Sequence, residues 1–168
     1  KGRIQEKNNL LLKSFPWYLK SAGIFENLKD YNRLTGLYRI IADNYFTLEA
    51  YGKALEYYQK ELKLPIELNN RQKSYLHQQS AMSAFYLKHY TEAEDQMMQS
   101  INLTREPQVK VHRRYLLARV LQKEEDNSAV ITQYQEILSF LESQNDPYQI
   151  ALMHNNIAYT YLKLSDYS

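Results

Sequence analysis

The chain of 168 residues contains no cysteine. This absence excludes disulfide bonds, thiolate metal sites and a cysteine nucleophile. It leaves the compartment open, since cytosolic and periplasmic proteins can both lack cysteine. The sequence favours the cytoplasm and allows the periplasm. No stretch reaches the roughly 18 apolar residues that a membrane-crossing helix needs, so we expect no membrane insertion.

Glycine and proline are scarce, with four of each, and valine does not occur before Val109. Few glycines and few β-branched residues favour helix over sheet. Neither GxGxxG nor GxxxxGK[ST] is present, so no glycine-rich phosphate loop is predicted. The net charge is only +2, from 21 basic and 19 acidic residues. A charge this small holds no polyanion, and we expect no nucleic acid as a partner of this segment.

Residue types that often carry catalysis lack the arrangement that catalysis needs. The HExxH motif is missing, and no two of the four histidines have the i, i+4 spacing of helical metal ligands. The serines have no nucleophile-elbow context. The sequence therefore predicts no catalytic residue, no metal site, no cofactor and no enzyme activity.

One sequence pattern occurs four times along the chain. Its turn positions are Tyr51, Tyr90, Asn127 and Tyr167. They are 39, 37 and 40 residues apart, and apolar residues recur at three- and four-residue spacing after each of the first three, as on one face of an α-helix. Before each turn, a second helical pattern has an alanine at the same place: Ala42, Ala81, Ala118 and Ala158. Each copy is predicted to be a helix, a tight turn and an antiparallel second helix, with the small residue allowing close approach.

This pattern resembles the tetratricopeptide repeat (TPR), with alanine in place of the usual first-helix glycine in all four copies. The resemblance covers residues 33–168 and implies an all-α, TPR-like solenoid of antiparallel helix pairs wound into a right-handed superhelix. It implies three full repeats and the first helix of a fourth. The period of about 40 residues is longer than the family's usual ~34.

Residues 1–32 precede this array. When the phase of the repeat is extended backwards, Phe15, Leu19 and Ala22 fall at second-helix positions, and Pro16 falls in the first turn of that helix, where proline is tolerated. Residues 1–32 are therefore either a degenerate capping half-repeat or an unrelated leading helix.

The fourth copy stops soon after its turn position. Its first helix would expose Ile157, Tyr161 and Leu164 unless another segment covered them, and terminal repeats normally need a polar outer face. We therefore expect the chain to be a fragment of a longer protein and to self-associate through this end when isolated.

The resemblance also implies a binding surface. In TPR stacks the first helices line the concave side, so we expect their outward faces to form a groove for an extended peptide or a partner helix. The predicted groove residues are Arg39, Asp43, Phe46, Tyr75, Gln78, Met82, Phe85, His112, Tyr115, Arg119, Gln122, Asn155, Tyr159 and Leu162. Their aromatic, thioether and amide side chains suit such a ligand. Asp43 and Met82 stand where chaperone-binding TPR domains clamp a carboxylate, so we expect no chaperone-tail binding.

Two functions follow from the resemblance. The first is a scaffold that binds a protein or peptide segment in the groove. The alternative is the N-terminal sensory or regulatory region of a larger bacterial signalling protein, such as a peptide receptor, kinase, cyclase or transcription regulator, whose output domain is absent here.

Basic residues cluster on the first helix of the third copy. They are Lys110, His112, Arg113, Arg114 and Arg119. The cluster is either a solvated helix face or a contact for an anion or carboxylate on the inner surface.

Overall fold

The computed structural model describes residues 2–165, with side chains from Lys13 onward, and over that range it shows eight α-helices and no strand. The helices are α1 (Gly2–Leu28), α2 (Tyr31–Thr47), α3 (Tyr51–Leu62), α4 (Asn70–Tyr86), α5 (Tyr90–Leu103), α6 (Pro107–Leu121), α7 (Asn127–Gln144) and α8 (Pro147–Ser165). Each helix packs against the next one along the chain. The predicted all-α solenoid of antiparallel helix pairs is confirmed.

The repeated pattern coincides with the helix boundaries. The first helices α2, α4, α6 and α8 begin at residues 31, 70, 107 and 147, the same steps of 39, 37 and 40 residues that separate the turn positions. Tyr51, Tyr90 and Asn127 are the first residues of the second helices α3, α5 and α7. Tyr167, the fourth turn position, lies outside the described residues.

Local chemistry explains where several helices start. Asn69 caps α4 in a capping box, since its side chain accepts from the Gln72 backbone N–H at 2.9 Å and the Gln72 side chain accepts from the Asn69 N–H at 3.0 Å. Asp126 caps α7 by accepting from the Ala129 N–H at 2.9 Å. Pro107 occupies the first position of α6, where no intrahelical donor is needed.

The turns between helices use left-handed backbone without glycine. Positive φ angles of 54–64° occur at Lys29, Glu49, Lys88, Glu125 and Asn145. Non-glycine residues other than asparagine adopt this conformation at a cost of about 1 kcal/mol. The chain can therefore form tight turns with few glycines, because the packing of the helices on either side of each turn outweighs the cost of the left-handed backbone.

The three alanines of the complete helix pairs lie in the core. Ala42 and Ala81 are 0% exposed and Ala118 is 1% exposed. Their short side chains let the first helix approach its neighbours, as the pattern predicted. Ala158 is exposed, since no further helix follows α8 within the described range.

Helix α1 packs on α2 but differs from the prediction at Pro16. Ala22 is buried in a cluster with Leu34 and Tyr38 of α2, and Leu19 packs against the same cluster. The helix, however, runs unbroken from Gly2, so Pro16 lies in its interior and the expected first-turn placement is wrong. Proline there leaves the carbonyl four residues earlier without its helical donor. Phe15, Leu19 and Ala22 all pack toward α2, which is compatible with both a degenerate half-repeat and an unrelated leading helix.

None of the helices among the described residues is long and apolar enough to cross a bilayer.

Candidate functional site

Side chains at predicted groove positions connect α2 with α4. The Tyr75 hydroxyl of α4 donates to a carboxylate oxygen of Asp43 in α2 at 3.0 Å. The Arg39 guanidinium lies over the Tyr75 ring, 5.6 Å from its centre. These contacts place the outward faces of the two first helices side by side.

A similar pair of contacts connects α4 with α6. The Arg113 Nε donates to Gln78 Oε1 at 2.9 Å, and the Arg119 guanidinium lies 5.6 Å from the centre of the Phe85 ring. Side-chain contacts thus link the three first helices α2, α4 and α6. We call the fourteen predicted groove residues together the first-helix face.

Part of the first-helix face is held in a polar cluster between α2, α3 and α4. Arg39 forms an ion pair with Glu61, which is 0% exposed. Asp43 accepts hydrogen bonds from the hydroxyls of Tyr58 at 2.6 Å and Tyr75 at 3.0 Å. We call these five residues the Arg39 cluster. The Arg39 guanidinium pairs with the Glu61 carboxylate, and two tyrosine hydroxyls donate to the Asp43 carboxylate. The cluster therefore cross-links three helices rather than offering free charges to a ligand.

Burial dominates the electrostatics of the Arg39 cluster. It raises the pKa of Glu61, and this effect exceeds the opposing influence of Arg39. It also raises the pKa of Tyr58 far above its usual range, with the hydrogen bond to Asp43 adding to the effect. Glu61 Oε2 is fully buried and has no hydrogen-bond partner among the described residues. The cluster is therefore held together at a substantial desolvation cost.

Aromatic rings extend the first-helix face toward the turns. The ring centroids of Phe46 and Tyr51 are 5.3 Å apart, and the Tyr51 ring stacks on the Tyr86 ring with a centroid distance of 4.4 Å. The rings of Phe85 and Tyr86 are in an edge-to-face arrangement with a centroid distance of 5.7 Å. Tyr86 keeps 45% of its surface exposed. Tyr51 and Tyr86 are not among the predicted groove residues, although Tyr51 is a turn position and Tyr86 directly follows Phe85.

The other predicted residues of α4 and α6 vary in burial. Met82 and Tyr115 are half-buried against the largest core cluster, whereas His112 and Arg119 are exposed. Gln122 is exposed and donates to the Tyr134 hydroxyl at 3.1 Å. The side chains of α6 that are open to a ligand are therefore mainly polar or charged.

Helix α8 shows the most open part of the first-helix face. Asn155 is exposed, Tyr159 is 60% exposed and Leu162 is 64% exposed. The buried residues of α8 are Met153 and Thr160. The side chains of Tyr159 and Leu162 are thus exposed to solvent on the same helix as the amide of Asn155.

The two histidines that share a repeat position behave differently. His77 Nδ1 lies 2.8 Å from Gln96 Oε1 of α5, so it faces the partner helix. His154, at the same position of α8, is exposed because no second helix packs on that side of α8 in the described range. No group of three or more histidine, aspartate or glutamate side chains suited to a metal forms between residues 13 and 165.

The basic cluster of α6 is neither a uniform solvated face nor one site. Arg114 pairs with Glu136 at 3.3 Å and donates to Gln133 Oε1 at 2.7 Å. Arg113 is only 7% exposed, whereas His112 is exposed. The structure therefore separates adjacent basic residues into buried, paired and free ones.

No family model matches the chain, and no curated protein matches it in sequence. Solved structures do resemble it. BtubC (BKLC) from P. vanneervenii superposes with a TM-score of 0.74 at 18% identity, over 98% of this chain and 70% of that one. MamA gives a TM-score of 0.65 at 16% identity, over 96% and 88% of the two chains. A second MamA structure gives 0.53 at 14% identity, over 90% of each. These likenesses, together with the helix pairs described above, show that the chain has the fold of a TPR-like helical solenoid.

Proposed function

We propose that the chain is a binding scaffold that holds a protein or peptide segment along the first-helix face. The observation that carries this proposal is the connected row of side chains from α2 through α4 to α6, together with the exposed residues of α8. A row that spans several repeats can contact an extended ligand at several points. A binding role, rather than a catalytic one, fits these side chains.

The chemistry of the exposed positions favours a ligand with both apolar and polar groups. Tyr159 and Leu162 offer apolar area, while Asn155 and Gln122 can hydrogen-bond a peptide backbone. Arg119 adds one cation at the surface. The alternative, a sensory region of a larger signalling protein, would use this same surface to capture its signal.

A peptide selection tests the proposal. Peptides selected from a random display library against the wild-type chain are measured by calorimetry against two triple variants. The first, Arg119→Ala/Asn155→Ala/Tyr159→Ala, alters the first-helix face and should weaken binding at least about tenfold, since each residue supplies a contact. Circular dichroism should show an unchanged fold.

The matched control changes three exposed residues of second helices, Lys53→Ala/Met98→Ala/Gln135→Ala. It should bind the selected peptides with wild-type affinity. Equal binding by both triple variants would contradict the assignment of the ligand to the first-helix face.

We also propose that the isolated chain self-associates through α8. Beyond the first-helix face, this helix leaves Tyr148 70% exposed, Tyr161 53% exposed and Leu152 41% exposed. Exposed apolar area of this kind favours association. Light scattering over a concentration series should show an increasing mass, and Tyr148→Glu/Tyr161→Glu should remove the increase. A constant monomer mass in the wild type would contradict this second proposal.

A further inference from the structure

A cleft separate from the exposed part of the first-helix face lies where α4, α5 and α6 meet. Its volume is about 400 Å³. The start of α4, the end of α5 and the loop before α6 form its walls. The lining residues are Asn69, Asn70, Arg71, Ser74, Leu103, Thr104, Arg105, Glu106 and Arg113.

Arg113 is the buried member of this lining, at 7% exposure. Its hydrogen-bond partners are all neutral: Gln78 Oε1 at 2.9 Å, the Ser100 carbonyl at 3.3 Å and the Ser74 hydroxyl. These bonds use Nε and Nη1. The third guanidinium nitrogen, Nη2, has no partner in the part of the chain with described side chains, and it is not fully enclosed. Nη2 is therefore the one guanidinium nitrogen of Arg113 that remains available to donate at the cleft.

The absence of a counter-ion sets Arg113 apart from the other arginines that lie between helices. Arg39 is paired with Glu61, and Arg114 is paired with Glu136. No carboxylate of residues 13–165 lies within ion-pair distance of Arg113. Burial lowers the pKa of the Arg113 guanidinium, and the nearby charge of Glu106 only partly opposes this. A buried cation without a counter-ion is costly, and a bound anion would offset that cost.

The charge of the cleft indicates which anion fits. Arg71, Arg105 and Arg113 contribute three positive charges and Glu106 one negative charge, so the lining carries a net charge of +2. A phosphate monoester carries about −1.5 to −2 at neutral pH, whereas a carboxylate carries only one charge. The free Nη2 of Arg113 can donate to one phosphate oxygen, and the exposed Arg71 and Arg105 side chains can reach the others. We propose that this cleft binds a phosphate group, carried either by a small phosphorylated molecule or by a phosphorylated side chain of a partner peptide.

Inorganic phosphate is the first probe, titrated into the ¹⁵N-labelled wild-type chain at constant ionic strength. Saturable shifts are expected at the backbone amides of Asn70, Arg71 and Arg105. Arg113→Gln should weaken binding by about tenfold, because it removes a charge-assisted contact. Because Arg113 also bonds α4 and α5, that variant is paired with two exposed ones, Arg71→Gln and Arg105→Gln, which should each weaken binding without altering the fold.

Two further variants sharpen the result. Glu106→Gln removes the one carboxylate of the cleft and should tighten phosphate binding. Arg33→Gln removes an equal charge from an exposed position on α2 and should leave the affinity unchanged. The proposal is overturned if phosphate causes no saturable shift in the millimolar range, or if all four arginine variants bind alike. It is equally overturned if Glu106→Gln binds less tightly than the wild type.

A second arm distinguishes the two sources of phosphate. O-phosphoserine is compared with a pool of random peptides that contain one phosphoserine and with the same pool unphosphorylated. Tighter binding of the phosphorylated pool than of the free amino acid supports a peptide ligand, and equal affinity supports a small molecule. Equal binding of the phosphorylated and unphosphorylated pools contradicts a phosphate site. The variants Arg71→Gln, Arg105→Gln and Glu106→Gln keep the test independent of the first-helix face, because they change no residue of that face and no residue bonded to it.

Discussion

The Arg39–Glu61 ion pair makes an asymmetric prediction about stability. Glu61 is fully buried, whereas the Arg39 side chain is 28% exposed. Replacing Arg39 leaves a buried carboxylate without its counter-ion, which costs about 3–5 kcal/mol. Replacing Glu61 leaves a guanidinium that can turn toward water, so the loss should be smaller, about 2 kcal/mol. The free energy of unfolding should therefore fall further in Arg39→Tyr than in Glu61→Ile.

The third copy of the repeat indicates what the double variant should do. Tyr115 and Ile137 occupy the positions that Arg39 and Glu61 occupy in the first copy, and Ile137 is 0% exposed. The same fold thus packs an uncharged pair at these positions. Apolar replacement of a buried ion pair is often neutral or stabilising. The double variant Arg39→Tyr/Glu61→Ile should be within about 1 kcal/mol of the wild type, which corresponds to a coupling energy of at least about 4 kcal/mol between the two positions.

Urea unfolding followed by circular dichroism gives the free energy of unfolding of the wild type, the two single variants and the double variant near neutral pH. The cost of Arg39→Tyr should shrink as the pH falls toward about 4.5, because a protonated Glu61 needs no counter-ion. Equal losses in the two single variants, or a double variant that loses the sum of both, would contradict an asymmetric ion pair between Arg39 and Glu61.

Three other predictions concern single positions. Because burial raises the pKa of Glu61 above 4.5, the stability that Glu61 contributes is fully present below that pH and is lost as the pH rises through its folded-state pKa. In urea unfolding at several pH values, the free energy of unfolding of Glu61→Gln should therefore increase relative to that of the wild type as the pH rises. The opposite trend would be inconsistent with burial as the main cause of the raised pKa. Glu125→Gly should raise the free energy of unfolding by about 1 kcal/mol, because φ is 61° at Glu125; a thermal melt that is unchanged or lower would contradict this. Asn69→Ala should lower it by about 1 kcal/mol by removing the α4 cap, whereas an unaltered melting temperature would count against the capping box.

The sequence predicted the repeat well because the signal is local. Tyr51, Tyr90 and Asn127 begin the second helices, and the alanine positions Ala42 and Ala81 are fully buried. Helical periodicity reports which face of a helix is covered, and it repeats in each copy. The start of α1 was misjudged because proline is usually found in a first turn, whereas here Pro16 lies inside a long helix.

The polar contacts between helices could not be predicted in the same way. Arg39 and Glu61 are 22 residues apart, and Arg113 reaches Ser74 across 39 residues. Neither pairing repeats in the other copies, so no periodic signal marks it. The burial of Arg113 depends on neutral partners in α4 and α5, which composition does not indicate. The positive φ angles at Lys88 and Glu125 could not be predicted either, since neither residue type favours that conformation.

Photo-crosslinking is the most direct test of ligand binding along the first-helix face. A photoreactive amino acid replaces Asn155 in one variant and Met98, an exposed residue of the second helix α5, in the other. Each variant is irradiated with the same display-selected peptide. We predict a covalent peptide adduct from position 155 and none from position 98. An adduct from position 98 with none from position 155 would contradict this prediction.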